Sequence, residues 1–156
     1  GAMAGRENAT VVFSMPNADP GGDKVWEELR AFAQGRPGVH LVTSLGQVRY
    51  LSLMKHARAV VGNSSSGILE APFMGTPTVN IGNRQRGRLQ APSVLSVSVE
   101  KDEIRKALRD VLSPDFQNRL SNSRYFFGDG TASKKVVSFL ENVPLDGVIL
   151  KTFHDL

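Results

Sequence analysis

The sequence predicts a doubly wound α/β domain, in which helices cover both faces of a parallel sheet. Three observations lead to this prediction. A length of 156 residues suits one ordinary domain. Short apolar runs rich in β-branched residues alternate with stretches of helical periodicity. Each of the first four predicted strands is followed by a loop rich in glycine, polar or basic residues. Residues of the hydrophobic classes make up 40% of the chain and charged residues 22%, as in a globular protein.

The predicted elements follow one another in a regular strand–helix order. The first strand, 10–15, is an apolar run that Pro16 ends, and the helix at 23–34 places Trp26 and Leu29 on one face. The pattern then repeats along the chain. The further predicted strands are 39–44, 58–63, 77–82 and 93–99, and the further predicted helices are 47–57, 66–74, 101–112, one after Pro114, and 132–142.

Both ends of the chain are predicted to lie outside this domain. The opening "GAMAG" looks like the remnant of a cleaved tag, so residues 1–9 are assigned to a tag scar and leader. Residues 10–143 are assigned to the domain, and 144–156 to a carboxyl-terminal tail. No apolar run approaches the roughly 20 residues of a membrane helix, and there is no cysteine, so we expect a cytoplasmic protein without membrane contacts.

Candidate binding residues are expected in the loops that follow the strands. In an open parallel sheet, ligands bind beyond the carboxyl ends of the strands, where the following helices present free N–H groups. The four loops of interest should therefore meet at one crevice. They are "PNADPGG" (16–22), "TSLGQ" (43–47), "GNSSSG" (62–67) and "GNRQRGR" (82–88).

The loop "GNSSSG" gives the sharpest signal. The amino end of a helix that starts near Ser65 favours an anion by about 0.3 to 2 kcal/mol through its dipole. Ser64, Ser65 and Ser66 add hydroxyl donors, and Gly67 lets a bulky ligand approach the backbone. A helix cap accounts for one of these serines, and three in a row exceed what a cap requires.

A carboxylate and three arginines accompany this loop. Glu70 lies four residues after Ser66, which places both on one helix face with about 5 to 6 Å between their β-carbons. There the carboxylate of Glu70 could accept hydrogen bonds from both hydroxyls of a ribose. The alternative is that Glu70 is a surface residue, placed near the start of the helix because the helix dipole favours an acid there. Arg84, Arg86 and Arg88 carry planar forks that match phosphate oxygens. We expect one of the three to reach the ligand, and expect Arg86 and Arg88 to be solvated. Together these residues indicate a site for a diphosphate and a ribose.

The stretch "VVGNSSSGILEAPFMGTPTVNIGNRQRGR" at 60–88, with "FFGDGTASKKVVSFL" at 126–140, resembles the UDP-N-acetylglucosamine 2-epimerases. It is most similar to the hydrolysing branch, which supplies N-acetylmannosamine for sialic acid and related nonulosonates. The resemblance covers roughly residues 11–142. It implies a Rossmann-like, UDP-binding carboxyl-terminal domain, one half of a two-domain enzyme of the glycosyltransferase-B-like form.

The resemblance also implies roles for the residues of the serine and arginine loops. Ser64, Ser65 and Ser66 would hold the diphosphate, Glu70 the ribose hydroxyls and Arg84 a phosphate.

Four more residues receive expectations from the same motifs. Gly67 would belong to the substrate-binding loop. Tyr50 would lie beside the uracil, with a half-buried helix residue as the alternative. Asn17 would lie near the nucleotide cleft, whereas Asp129 is expected to be a turn residue at the start of a helix rather than a ligand contact.

The implied reaction converts UDP-N-acetylglucosamine to N-acetylmannosamine and UDP, or to UDP-N-acetylmannosamine. The acid and base residues of such enzymes come from the amino-terminal domain and from a histidine early in the carboxyl-terminal one. His40, His56 and His154 do not match that histidine, and we expect His56 to be packed. No catalytic residue is therefore assigned here, and we expect this chain to bind UDP weakly and to convert no substrate.

The expected partners follow from the same resemblance. They are UDP, UDP-N-acetylglucosamine and the amino-terminal domain of the same enzyme, assembled as a homo-oligomer, with no metal, cofactor or nucleic acid.

Two alternatives remain open from the residues alone. A glycosyltransferase that uses a UDP-sugar would also place a diphosphate at such a helix end. A non-catalytic module that binds an anion or RNA would use "NRQRGR" and the net charge of +4, although that loop has no aromatic side chain on which a base could stack.

Overall fold

The computed structural model describes residues 9–15, 21–120 and 126–146. These residues fall into two units, one that extends to Phe126 and one that begins at Phe127. The boundaries 10–143 for the predicted domain stay a prediction.

Strands and helices alternate through the described residues. The predicted strands and helices are all present, and the strands are shorter than expected. The strands are β1 (Val11–Ser14), β2 (Val39–Val42), β3 (Val60–Gly62), β4 (Thr78–Ile81) and β5 (Val94–Val97), and the helices are α1 (Gly22–Ala33), α2 (Gly46–His56), α3 (Ser66–Met74), α4 (Lys101–Val111), α5 (Pro114–Arg119) and α6 (Ala132–Asn142).

All strand pairs that the structure describes are parallel. β1 pairs with β2, with Val11 opposite Val39. β4 lies between β3 and β5, and Thr78 faces Val60 on one side and Val94 on the other. The predicted parallel α/β architecture is therefore confirmed, with its hydrogen bonds arranged in two ladders of two and three strands.

The main core lies between the three-stranded ladder and helix α4. Val79, on the central strand β4, packs in a cluster with Ala107, Leu108 and Val111 of α4. The three α4 residues are buried because their spacing places them on one helix face. Full burial of a valine or leucine contributes about 1.5 to 3 kcal/mol. This packing holds β4, and with it the loop that follows β4, in a fixed position.

Helix α3 lies very close to β4. A β-carbon added to Gly67 would stand only 2.8 Å from Cγ2 of Thr78, a distance that no real side chain accepts. The Thr78 hydroxyl donates to the carbonyl of Gly67 at 2.7 Å. The glycine is therefore needed for helix–strand packing, in addition to any part in ligand binding. Its predicted part in ligand binding stays a prediction.

The second unit contains α6 and the turn before it. Asp129 Oδ1 accepts hydrogen bonds from the N–H of Thr131 at 3.0 Å and from its hydroxyl. Asp129 is thus a turn residue at the start of a helix, as expected. Within this unit the apolar side chains of α6 remain exposed, including Phe139 and Leu140. Among the helices that the structure describes, none combines the length and apolar character needed to span a bilayer.

Candidate functional site

The serine loop, residues 62–67, joins β3 to α3 at the carboxyl edge of the three-stranded ladder. Ser65 is the residue before the helix, and its backbone is already helical, so its hydroxyl makes no capping bond. Instead, Ser64 Oγ accepts from the N–H of Ser66 at 3.3 Å. The carbonyl of Ser64 accepts from the N–H of Gly67 at 3.2 Å. Of the three serine hydroxyls, only that of Ser64 therefore bonds a backbone N–H at the start of α3.

The remaining donors of this loop are available to a ligand. Within the described part of the chain, the hydroxyls of Ser65 and Ser66 have no hydrogen-bond partner, and the N–H groups of Ser64 and Ser65 donate to no acceptor. Ser64 is exposed, and the other two serines are half-buried. Free N–H groups at a helix amino end, together with hydroxyls, form the kind of site that binds anions.

Glu70 lies one turn further along α3. Both Ser66 and Glu70 belong to this helix, so the expected i, i+4 placement on one face is confirmed. The carboxylate is half-buried and pairs with no residue in the described ranges. A half-buried carboxylate that still has free acceptor oxygens suits a ligand hydroxyl, and the ribose role stays a prediction.

The arginine loop, residues 82–88, is tied directly to the serine loop. Gln85 is buried, with 4% of its surface exposed, and its Nε2 donates to the backbone carbonyl of Asn63 at 2.8 Å. The loops after β3 and β4 therefore converge. That the loops after β1 and β2 join them at one crevice stays a prediction. Sequence reasoning missed Gln85, although a neutral amide between two arginines in "RQR" was a signal that its role differs from theirs.

The three arginines of this loop are exposed. For Arg86 and Arg88 this confirms the expected surface position. Arg86 also lines a cleft with both polar and apolar walls, a feature that the sequence did not indicate. Whether Arg84 meets a phosphate stays a prediction.

The cleft has a volume of about 630 Å³ and lies between the arginine loop and the carboxyl ends of β4 and β5, where Val97 and Val99 add apolar wall to its polar residues. Along it, Asn80 Nδ2 donates to Ser96 Oγ at 3.0 Å, and Ser96 Oγ donates to Gln90 Oε1 at 2.9 Å. Asn80 is 2% exposed, and its Oδ1 has no partner in the described part of the chain. Arg86 and Glu103 also line the cleft.

The electrostatics of this edge are shaped by a carboxylate bound at the start of α4. Glu103 Oε2 accepts from the N–H of Ser98 at 3.1 Å. Hydrogen bonds from Ser98 lower the pKa of Glu103 below its ordinary value. Glu103 is therefore charged at neutral pH and can accept a further hydrogen bond on the cleft.

The other predicted residues lie apart from these loops in sequence. Tyr50 is half-buried on α2, which fits both interpretations of it. His40 is exposed, and so is His56, so the expectation of a packed His56 is wrong. His56 is the last residue of α2, where the helix ends and its side chain meets solvent. Asn17 and His154 lie outside the described residues, as do 147–156 of the predicted tail.

A metal centre is not apparent in the described ranges. They contain no group of three or more His, Asp or Glu side chains placed to hold an ion.

Comparison with known proteins identifies the class of this fold. A solved structure described as UDP-GlcNAc 2-epimerase from Neisseria meningitidis bound to UDP-GlcNAc superposes with a TM-score of 0.63 at 21% identity, over 86% of this chain and 36% of that one. The fold is thus the Rossmann-like α/β fold, shared with about a third of that larger structure. The family model described as UDP-N-acetylglucosamine 2-epimerase matches residues 1–141. The chain belongs to the UDP-N-acetylglucosamine 2-epimerase family.

Two curated relatives agree with this assignment. A GDP/UDP-N,N'-diacetylbacillosamine 2-epimerase (hydrolyzing) of Campylobacter jejuni is 38% identical over 152 residues, which is 96% of this chain and 39% of the relative. A UDP-N,N'-diacetylbacillosamine 2-epimerase (hydrolyzing) of Legionella pneumophila is 31% identical over 143 residues, 92% of this chain and 37% of the relative. The chain therefore spans less than two fifths of the length of these relatives.

Proposed function

We propose that this chain is the UDP-binding, carboxyl-terminal domain of a hydrolysing UDP-N-acetylglucosamine 2-epimerase. The observation that carries the proposal is the set of free donors at the amino end of α3, held beside the arginine loop by the hydrogen bond from Gln85 to Asn63. Two curated relatives with hydrolysing names support the branch. The full enzyme would be a cytoplasmic homo-oligomer that serves the biosynthesis of sialic acid or a related surface sugar.

The proposed reaction begins with removal of the proton at C2 of the sugar. The bond between C1 and the phosphate oxygen then breaks, and its electron pair leaves with UDP. Water adds to the resulting glycal and gives the free 2-epimer. Negative charge gathers on the diphosphate as it leaves, so donors fixed against it stabilise the transition state more than the ground state.

Each part of the candidate site takes one role in this proposal. The N–H groups of Ser64 and Ser65 and the free serine hydroxyls hold the diphosphate. Arg84 supplies a cation to it, and Glu70 accepts the ribose hydroxyls. Tyr50 borders the uracil, and Asn17 lies near the same cleft.

The chain alone is proposed to bind UDP without catalysis. Its two described histidines are exposed and lie outside the serine and arginine loops. The acid and base groups would come from the amino-terminal domain of the full enzyme, which would also supply further contacts to the sugar. UDP affinity of the isolated chain is therefore expected to be weak.

Titration with UDP, followed by amide NMR, tests the binding step. We expect the largest shifts at residues 62–67 and 82–85, whereas the amides of α6 serve as an internal reference. Shifts that spare the serine loop would refute the proposed site.

Product analysis with the full-length enzyme tests the reaction. UDP-N-acetylglucosamine and UDP-N,N'-diacetylbacillosamine would be supplied separately, each without an acceptor. Release of UDP and a free sugar inverted at C2 is the expected result. A sugar that is transferred only when an acceptor is added, with C2 unchanged, would instead identify a glycosyltransferase.

A further inference from the structure

We propose that Gln85 is a positioning residue, which fixes the place of Arg84 relative to the serine loop. Through Arg84 it makes the site prefer a phosphorylated nucleoside to an unphosphorylated one. This role rests on the proposed function, in which Arg84 is a phosphate ligand. It assigns part of the affinity for phosphate to a neutral, buried side chain that does not itself contact the ligand.

Gln85 joins two loops that are far apart in the sequence. Its side chain is 4% exposed, and its Nε2 donates to the backbone carbonyl of Asn63 at 2.8 Å. Asn63 directly precedes Ser64, the first serine of the serine loop. One hydrogen bond therefore connects the residue next to Arg84 with the residue next to Ser64.

The backbone around Gln85 forms two consecutive turns. The N–H of Arg86 donates to the carbonyl of Asn83 at 2.9 Å, and the N–H of Arg88 donates to the carbonyl of Gln85 at 3.3 Å. Arg84 and Gln85 are the two central residues of the first turn, so their backbones are held by the same bond. Fixing the side chain of Gln85 therefore also fixes the point from which the side chain of Arg84 extends.

Stability alone does not account for a glutamine at this position. Gln85 Oε1 is buried and has no partner in the described part of the chain, and a buried polar atom left unpaired is costly. Preorganisation supplies a reason to keep the amide. An arginine whose backbone is already held in place loses less conformational freedom when it binds a phosphate.

Gln85→Met tests this role, because methionine keeps the length of the side chain and removes the donor. In NMR titrations of the 156-residue chain, UDP affinity should fall about tenfold and uridine affinity should change less than about twofold. The same substitution in a chain that already carries Arg84→Ala should change UDP affinity less than about twofold, because a residue that acts through Arg84 has no effect once Arg84 is absent. Fully additive losses would overturn the positioning role.

Gln117→Met is the matched control. The Nε2 of Gln117 also donates to a backbone carbonyl, that of Val111, at 2.7 Å, and Gln117 lies on α5 rather than in either loop. Thermal unfolding should show a loss of stability in both methionine variants, whereas only Gln85→Met should lose UDP affinity. Equal losses of UDP affinity in the two variants would show that Gln85 acts only through stability.

Gln85→Glu tests the donor itself and also serves if Gln85→Met does not fold. Burial and the facing carbonyl of Asn63 raise the pKa of a carboxyl at this position. The protonated carboxyl can donate to that carbonyl, whereas the carboxylate cannot. UDP affinity relative to the parent chain at the same pH should therefore recover as the pH falls from about 8 to about 5.5. A constant ratio across this range would contradict the role.

Titration with pyrophosphate, carried out in parallel, separates this role from the proposed function. Equal binding of UDP by the parent and by Gln85→Met overturns the role and leaves the proposed function standing. A parent chain that binds pyrophosphate but not UDP, together with weaker pyrophosphate binding by Gln85→Met, overturns the proposed function and leaves the role standing. A parent chain that binds neither ligand overturns both.

Discussion

Helices α3 and α4 follow β3 and β5 at the same edge of one parallel ladder, yet their amino ends differ in charge. α4 carries two acids in its first turn, Asp102 and Glu103, and Glu103 binds the backbone N–H of Ser98. α3 has no acid in its first turn, and its loop presents serines instead. The α4 dipole is therefore balanced by acids of the same helix, whereas the α3 dipole remains available to an external anion.

This difference shows why one helix end of the ladder is the candidate diphosphate site and the other is not. A helix amino end is common in any α/β fold, so it indicates little by itself. The distinguishing features are the free donors of the serine loop and the arginine loop that Gln85 holds beside it. Changes that make α3 resemble α4, or that remove one of these features, should therefore reduce UDP binding.

The largest effect is expected from Ser65→Asp, which gives α3 an acid at its amino end. A carboxylate about 4 Å from a phosphate is repelled by up to about 4 kcal/mol near a protein surface. We expect UDP affinity to fall by about 100-fold or more. Calorimetric titration of both chains with UDP measures this loss of affinity.

Ser133→Asp is the matched control for Ser65→Asp. It places the same acid in the first turn of α6, at an exposed serine outside the serine loop. UDP affinity should be unchanged in this variant. Unaltered UDP binding by Ser65→Asp would show that the diphosphate does not meet the end of α3.

Arg84→Ala is expected to have the next largest effect. Loss of one charge-assisted hydrogen bond costs about 1.5 to 3 kcal/mol, which corresponds to a 10- to 100-fold loss of UDP affinity. Arg88→Ala, in the same loop, provides the comparison. If both variants bind UDP like the parent chain in calorimetry, Arg84 does not belong to the site.

Glu70→Ala should act on a different part of the nucleotide. If its carboxylate accepts the ribose hydroxyls, its loss weakens uridine and UDP equally, by about 10-fold. Arg84→Ala, by contrast, should weaken UDP and spare uridine. Titration of both variants with both ligands separates the two roles, and equal uridine affinity in Glu70→Ala and the parent would contradict the ribose assignment.

The elements around the site could be predicted because their signals are local. The serines before an apolar helical stretch set the start of α3, and alternation of strands and helices gave a parallel sheet. The contacts that shape the site are not local. Gln85 binds a carbonyl 22 residues earlier in the chain. Gly67 is required because Thr78 of the neighbouring strand approaches it, which no pattern around residue 67 reveals.

The cleft beside the arginine loop was missed for the same reason. Asn80, Gln90 and Ser96 lie on three different segments, and no motif joins them. Only the pairing of β4 with β5, with Asn80 opposite Ser96, brings them together. Sequence patterns therefore indicated the candidate anion-binding loop and gave no sign of the cleft beside the arginine loop.

The smallest expected effect is a pH dependence of the contact between Glu103 and Ser98 at the amino end of α4. Hydrogen bonds from Ser98 lower the pKa of Glu103, so they stabilise its charged form. The contribution of this contact to folding is present above the pKa of an unfolded glutamate, and it is lost as the pH falls through the lower folded pKa. The amide signal of Ser98 should therefore titrate below the ordinary range for glutamate.

In Glu103→Gln the Ser98 amide should lose this titration while UDP affinity stays unchanged, because the acid balances a helix end that the diphosphate does not use. A fall in UDP affinity in this variant would show that the two helix ends are not independent.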